Sequence, residues 1–144
     1  MTRGGSERGG APAVEAALLA VLLTAVIGFV MAGGRLVAAE SAADQAARAA
    51  ARITTSARDP GSAQDQARRT AEATLAEQGL ACDRLTVTVD AGGSTAPLGQ
   101  TGLVRANVTC VVRWADLALP GAPGTRTVSA SFTSAVDRYR ERAR

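Results

Sequence analysis

Residues 10–34 read GAPAVEAALLAVLLTAVIGFVMAGG, and the nineteen positions 16–34 carry no charge. A helix of that length spans about 28 Å at 1.5 Å per residue. The hydrocarbon core of a bilayer is roughly 30 Å thick. The stretch therefore predicts a transmembrane helix close to the start of the chain. One acid, Glu15, stands at its mouth. As an interfacial residue it gains roughly 0.3–1 kcal/mol from a helix N-terminus. As an ionisable group at membrane depth it is a functional candidate in want of a cation. Ala16, Ala20, Thr24, Gly28 and Ala32 recur at every fourth position. They share one narrow face, and small faces let helices approach closely in lipid. The competing reading is a chain that is simply rich in alanine.

Ahead of the apolar run, residues 1–10 (MTRGGSERGG) form a polar, glycine-rich leader that is expected to be disordered. Arg3 and Arg8 favour a cytoplasmic N-terminus. Three fates compete for this region. It is a secretory signal peptide cut after Val37-Ala38-Ala39, an anchor that is never cut, or a leader removed before the apolar segment. The first suits the sequence poorly. The uncharged run is longer than the roughly 7–15 residues of a signal-peptide core, and an acid at its start is atypical.

Outward from the apolar run, LVAAESAADQAARAAARI contains no glycine or proline, and alanine is the best helix former. The helix is expected to continue from about residue 12 to residue 55, so that residues 11–57 form an anchor and its extension. Glu40, Asp44, Arg48 and Arg52 share one face at i, i+4 spacing, with Asp44 and Arg48 suitably oriented to pair. Leu36, Ala39, Ala43, Ala46, Ala50 and Ile53 offer an apolar stripe. Asp59-Pro60-Gly61 breaks the helix. Ser62 with Asp65 reads as a capping box, opening a second helix that runs to about Gln78 with Gly79 just past its end. Its packing face is Ala63, Ala67, Ala71, Thr74 and Leu75.

Beyond Gly79 the apolar period changes to two. Leu85, Val87 and Val89 share one face of a strand over 84–90. Val104, Ala106, Val108, Cys110, Val112 and Trp114 share one face of a second over 103–114. Val128, Ala130 and Phe132 do so in a third over 127–133. AGGSTAPLGQTG reads as a turn or mobile loop, and residues 119–124 as a break. The expected fold class is α+β: a long N-terminal helix, a second helix, and a three-stranded antiparallel sheet covered on one side by helix, with the small domain over 62–133. Residues 134–144, ending DRYRERAR, form a basic tail, either frayed and solvated or touching anionic lipid or a partner.

The outer region is short of large apolar residues, with two Phe, one Tyr and one Trp in the whole chain. Its core must be built from Ala, Val and Leu, and burying these stabilises little per residue. Cys82 and Cys110, 28 positions apart, are the only cysteines. A disulfide between them would close a loop worth about 2–4 kcal/mol and would need an oxidising compartment. Two buried free thiols are the other reading.

Composition also removes function classes. The sequence has no histidine, the commonest base and metal ligand. Two cysteines do not make a structural zinc site. No phosphate loop, dinucleotide fingerprint or nucleophile elbow is present. All sixteen basic residues are Arg, the formal charge is +3, and the charges are interleaved rather than striped. Nucleic-acid binding has little support. No enzyme activity, cofactor, metal or small-molecule substrate is expected.

A short basic leader, Gly10, then Ala11-Pro12-Ala13-Val14-Glu15 and a long apolar helix resemble the prepilin-type signal of type IV pilins. More narrowly, G-x-x-x-x-E-A-A-L, an anchor, then ESAADQAARAAAR is similar to the TadE-like minor pilins of tight-adherence (Flp) pilus systems, over residues 10–52. The resemblance implies that a prepilin peptidase cuts between Gly10 and Ala11. Glu15 then becomes the fifth mature residue, and its cation is the new α-amine of Ala11 on a neighbouring subunit. Implied partners are other pilus or secretion subunits, inner-membrane platform proteins and, transiently, the peptidase, all within a lipid bilayer. Pro12 departs from the commoner pattern, but a proline in the first turn of a helix lacks only an N–H that had no partner. The function so implied is a non-enzymatic minor-pilin or pseudopilin-like component. It would be single-pass, with its N-terminus cytoplasmic and its C-terminal domain extracytoplasmic. The alternative is a membrane-anchored binding or accessory module unrelated to pili.

Overall fold

A computed structural model describes residues 10–57, 60–97, 99–117, 121 and 123–136. The leader before Gly10, Asp59 of the expected helix break, and the DRYRERAR run lie outside the described residues. Two helices come first in chain order, α1 (Gly10–Ser56) and α2 (Pro60–Glu77). Strand β1 (Arg84–Asp90), a 3₁₀ turn (Gly92–Thr95), β2 (Leu103–Arg113) and β3 (Thr125–Ala135) follow. The sheet is antiparallel in the order β1-β2-β3.

The 47 residues of α1 divide by environment. Its first half is bare: Leu18, Val21, Ile27, Phe29 and Val30 are all more than half exposed. Its most apolar 18-residue window has a mean hydropathy of 2.5, so the helix is long and apolar enough to cross a membrane. From Ala39 onward the helix is buried in the protein's own interior. Ala42, Ala43, Ala46, Ala47, Ala50 and Ala51 are at most 2% exposed. This face is wider than the expected stripe because α1 is covered twice. α2 lies along one side, and β2 and β3 along another. Ala42, Ala47, Ala51 and Thr54 complete it. Thr54 is the one buried polar residue among those described, and its hydroxyl donates to the Ala50 carbonyl at 2.8 Å.

The start of α2 corrects the expected capping box. The helix begins at Pro60, so Ser62 is its third residue and not its cap. A proline's fixed φ suits a first helical position, which takes the start two residues upstream. The other end is as expected. Gly79 has φ +70°, its N–H donates to the Ala76 carbonyl at 2.9 Å, and the Leu80 N–H donates to the Leu75 carbonyl at 3.0 Å. These paired bonds form a Schellman motif, with Leu80 and Leu75 meeting in the same apolar cluster. The inner face of α2 is Ala63, Ala67, Ala71 and Leu75, with Thr74 half-buried.

All three strands bury the residues that alternation assigned to them, most fully in central β2, where Val104, Ala106, Val108, Cys110 and Val112 are inaccessible. Three boundaries differ. β2 ends at Arg113, leaving Trp114 just outside it, and β3 begins at Thr125 and extends to Ala135, so Ser134 and Ala135 belong to the sheet and not to a tail. The expected loop after β1 contains the 3₁₀ turn. Here Gly93 and Gly102 approach so closely that a Cβ on Gly93 would collide with the Leu103 backbone, and one on Gly102 with the Gly93 carbonyl.

Direction follows from which residues meet. Ala39 shares a cluster with Cys110, Val112 and Val128, while Ala46, Ala47, Ala50 and Ala51 share one with Ala106 and Val108. The Arg48 guanidinium lies 5.2 Å from the centre of the Phe132 ring. From Ala39 to Arg48 is about 13.5 Å of helix, and from Val128 to Phe132 about 13 Å of strand. α1 therefore runs alongside β3 in the same sense. The β2–β3 turn lies at the end of the domain nearest the exposed half of α1.

The alanine faces are buried between the two helices and the sheet, which gives a test. Ala47→Leu should destabilise the protein by about 1–3 kcal/mol, read from its urea midpoint in detergent, because the added methylenes have nowhere to go. Ala73→Leu, on the exposed side of α2, should change stability by less than about 0.5 kcal/mol.

Candidate functional site

Glu15 stands one turn into α1, exposed, followed by the small-residue file. Ala16, Ala20, Thr24 and Gly28 are exposed and Ala32 is partly covered. The Thr24 hydroxyl donates back to the Ala20 carbonyl at 2.8 Å, so its polarity is satisfied within the helix. A Cβ built on Gly28 meets no atom within 4 Å. From Ala16 to Gly28 the stripe is thus a continuous exposed face that the described residues of the outer domain leave uncovered. Gly10 and Ala11 form the first residues of α1.

The second expected pair is joined. Cys82 and Cys110 form a disulfide, with Cα atoms 5.4 Å apart. It ties the segment leading into β1 to the middle of the central strand. Beside it, Arg113 reaches Asp116 at 3.1 Å and Asp83 at 3.5 Å. The hydrogen bond to Asp116, then the charges of Asp116 and Asp83, push the Arg113 guanidinium further up from its ordinary value. These side chains are largely exposed, and such pairs contribute little to stability.

Among the described residues no group of three or more His, Cys, Asp or Glu could hold a metal. A shallow groove of about 330 Å³ lies between α2 and β1, lined by Leu75, Leu80, Cys82 and Leu85 with Arg68 and Glu72 on its rim. Arg68 is engaged with Glu72 at 2.9 Å. The groove brings together no nucleophile, base and acid.

One positioning residue was not singled out from the sequence. The Gln64 side chain of α2 donates to the Val87 carbonyl at 2.6 Å and accepts from the Val89 N–H at 3.1 Å. Its amide thus acts as a neighbouring strand and closes the outer edge of β1. Gln64 sits one residue from buried Ala63, but nothing in the sequence separates it from other surface glutamines.

An apolar half carrying Glu15 and a buried alanine half, joined in one helix, can be set against known families. Residues 10–52 match the family model described as TadE-like protein. Over those residues the chain belongs to the TadE-like family. The match covers the exposed half of α1 and most of its buried half, and stops before α2 and the sheet. No curated protein and no solved structure matches the chain.

If the small face of this TadE-like helix is a packing surface, a branched side chain on it acts between subunits and not within one. Gly28→Ile should leave the urea midpoint of the outer domain unchanged, since the position touches nothing. It should lower the recovery of untagged copies or partner subunits with a tagged chain. Unchanged recovery would remove the packing role from the stripe.

Proposed function

We propose that this protein is a non-enzymatic minor-pilin or pseudopilin-like subunit, held in the membrane by the first half of α1. Its role is assembly of a Flp-type pilus or a related secretion apparatus. The observation that carries the reading is the continuity of α1. One helix joins a bare apolar segment, of bilayer length and with an acid at its mouth, to a spine buried in the outer domain. The family match over residues 10–52 falls on that helix.

In this reading the positive leader holds the N-terminus in the cytoplasm. The disulfide agrees with an outer domain in an oxidising compartment. Cleavage after Gly10 exposes an amine on Ala11, at the end of a helix whose first N–H groups lack intrahelical partners. Glu15 of a neighbouring subunit neutralises that amine. The pair matters because an unpartnered charge in lipid is costly, and removing one member of a buried pair strands the other. The small face beginning at Ala16 lets the second helix come close enough for the pair to form. Partners are other pilus or secretion subunits and platform proteins of the same membrane, with a prepilin peptidase engaged transiently.

Intact mass of the protein taken from its native membrane tests maturation. The expected species comprises residues 11–144 with one disulfide. An unprocessed chain would favour the anchored accessory module, and a chain beginning at Glu40 would mark an ordinary signal peptide.

Glu15→Gln tests the role of the carboxylate. The substituted chain should insert, mature and form its disulfide, yet be lost from the assembled complex. Loss of a helix-terminus interaction alone, about 1 kcal/mol or less, does not abolish assembly. Normal co-purification of the variant would return Glu15 to an interfacial role.

A further inference from the structure

Where the apolar half of α1 ends, the domain begins at once. Arg35 is the first charge after the nineteen uncharged positions. Leu36, half-buried, already packs against the cluster of Ala39, Cys110, Val112, Leu117 and Val128. No spacer separates the sheet from the segment that would lie in lipid. Because α1 runs alongside β3, the level of each sheet residue above the apolar run can be read from its partner on the helix. Val112 lies beside Ala39. Trp114, two residues past Val112 and directly after the end of β2, lies about 6.6 Å nearer the apolar half if the strand rise is carried to it. That distance is roughly four helical residues, which places Trp114 level with Arg35.

Trp114 is half-buried, with its ring against Gly124, and its backbone N–H donates to the Gly124 carbonyl at 3.2 Å. Around it the same end of the domain carries four arginines. Arg113 is engaged with Asp83 and Asp116. Arg84, opposite Val111, and Arg126, opposite Val112, are exposed and have no ion pair among the described residues; nor has Arg35. Among the described residues the acids at this end, Asp83 and Asp116, are both engaged by Arg113, and Glu40 lies a turn further out on α1. Unpaired guanidiniums on both faces of the sheet end, with an indole between them, match the requirements of a lipid interface. Indoles sit at headgroup level, and basic side chains are attracted by anionic headgroups.

We infer that the end of the sheet bearing Trp114, Arg84 and Arg126 is a membrane-contact surface that seats the outer domain on anionic phospholipid headgroups. The inference rests on the reading of α1 as an anchor. Its consequence is mechanical. α1 is held at one level and tilt by the domain's footing on the bilayer, so Glu15 and the small face stay at a fixed depth.

Trp114 is the only tryptophan in the chain, so its fluorescence reports this surface alone. The full-length protein is reconstituted into phosphatidylcholine vesicles with or without phosphatidylglycerol, using lipid brominated near the headgroup end of the acyl chain. Flotation of the vesicles is measured first and reports the anchor. Bromine should quench Trp114, by roughly two-fold more when anionic lipid is present. Arg84→Glu with Arg126→Glu should return quenching to the neutral-lipid level while circular dichroism still shows the folded sheet. If the chain floats but Trp114 emission ignores the bromine, the contact surface is disproved and the anchor stands. The same holds if quenching is indifferent both to anionic lipid and to charge reversal. A chain that does not float overturns the anchor and this inference together.

Discussion

Ala42, Ala46, Ala47, Ala50 and Ala51 of α1 face Ala67, Ala71 and Leu75 of α2 in one cluster, with Val87, Ala106 and Val108 of the sheet beneath. A methyl group removes little surface from water, so this seam gains modestly from hydrophobic burial. What alanine provides is proximity. With no long side chains between them, the helices sit close, and many weak dispersion contacts form between backbones and methyls. Close packing also makes the seam intolerant of volume, since nothing in it can retreat into space. Everything outside the membrane-length segment is assembled on this contact. Weakening it would separate α1 from the domain it supports.

Two devices finish the domain where the seam does not reach. The disulfide joins the lead-in of β1 to central β2, within the cluster of Ala39, Val112, Leu117 and Val128 that Leu36, Leu80 and Leu85 partly cover. Closing that loop restricts the unfolded chain and offsets a core of small residues. Gln64 then takes up the Val87 carbonyl and the Val89 N–H on the outer edge of β1. The result is a small domain whose one continuous link to the rest of the chain is a helix running straight out of its core.

The helical and strand elements were readable because their signals are periodic. Alternation assigned Val104 to Val112 to one face, and a glycine at position 79 announced the end of α2. The stripe on the outer half of α1 was read too narrowly for a definite reason. A one-sided amphipathic pattern predicts one covering layer, whereas α1 is covered by α2 and by the sheet, and alanine gives no hydropathy contrast to reveal the second. The capping box failed because Ser62 and Asp65 fit its spacing while Pro60 suited the first helical position better. Gln64, the Gly93–Gly102 approach and the level of Trp114 depend on contacts between distant segments, which no local pattern contains. At the candidate assembly face the position is reversed. Glu15 and the small stripe were legible in sequence, and the isolated subunit adds that Glu15 and the stripe as far as Gly28 are exposed among the described residues.

Gly33 and Gly34 lie where the bare half of α1 meets the buried half, and neither has a neighbour within 4 Å of a built Cβ. Each weakens a helix by roughly 1 kcal/mol relative to alanine. If the bare half of α1 is the proposed anchor, a rigid link between membrane and domain requires that α1 pass through them unbroken. Amide hydrogen exchange of the full chain in lipid nanodiscs tests this directly. The account predicts that residues 38–54 exchange as slowly as β2, in one cooperative unit, and that protection continues through Gly33 and Gly34. Fast exchange at the two glycines, or release of residues 38–54 while the sheet stays protected, would contradict it.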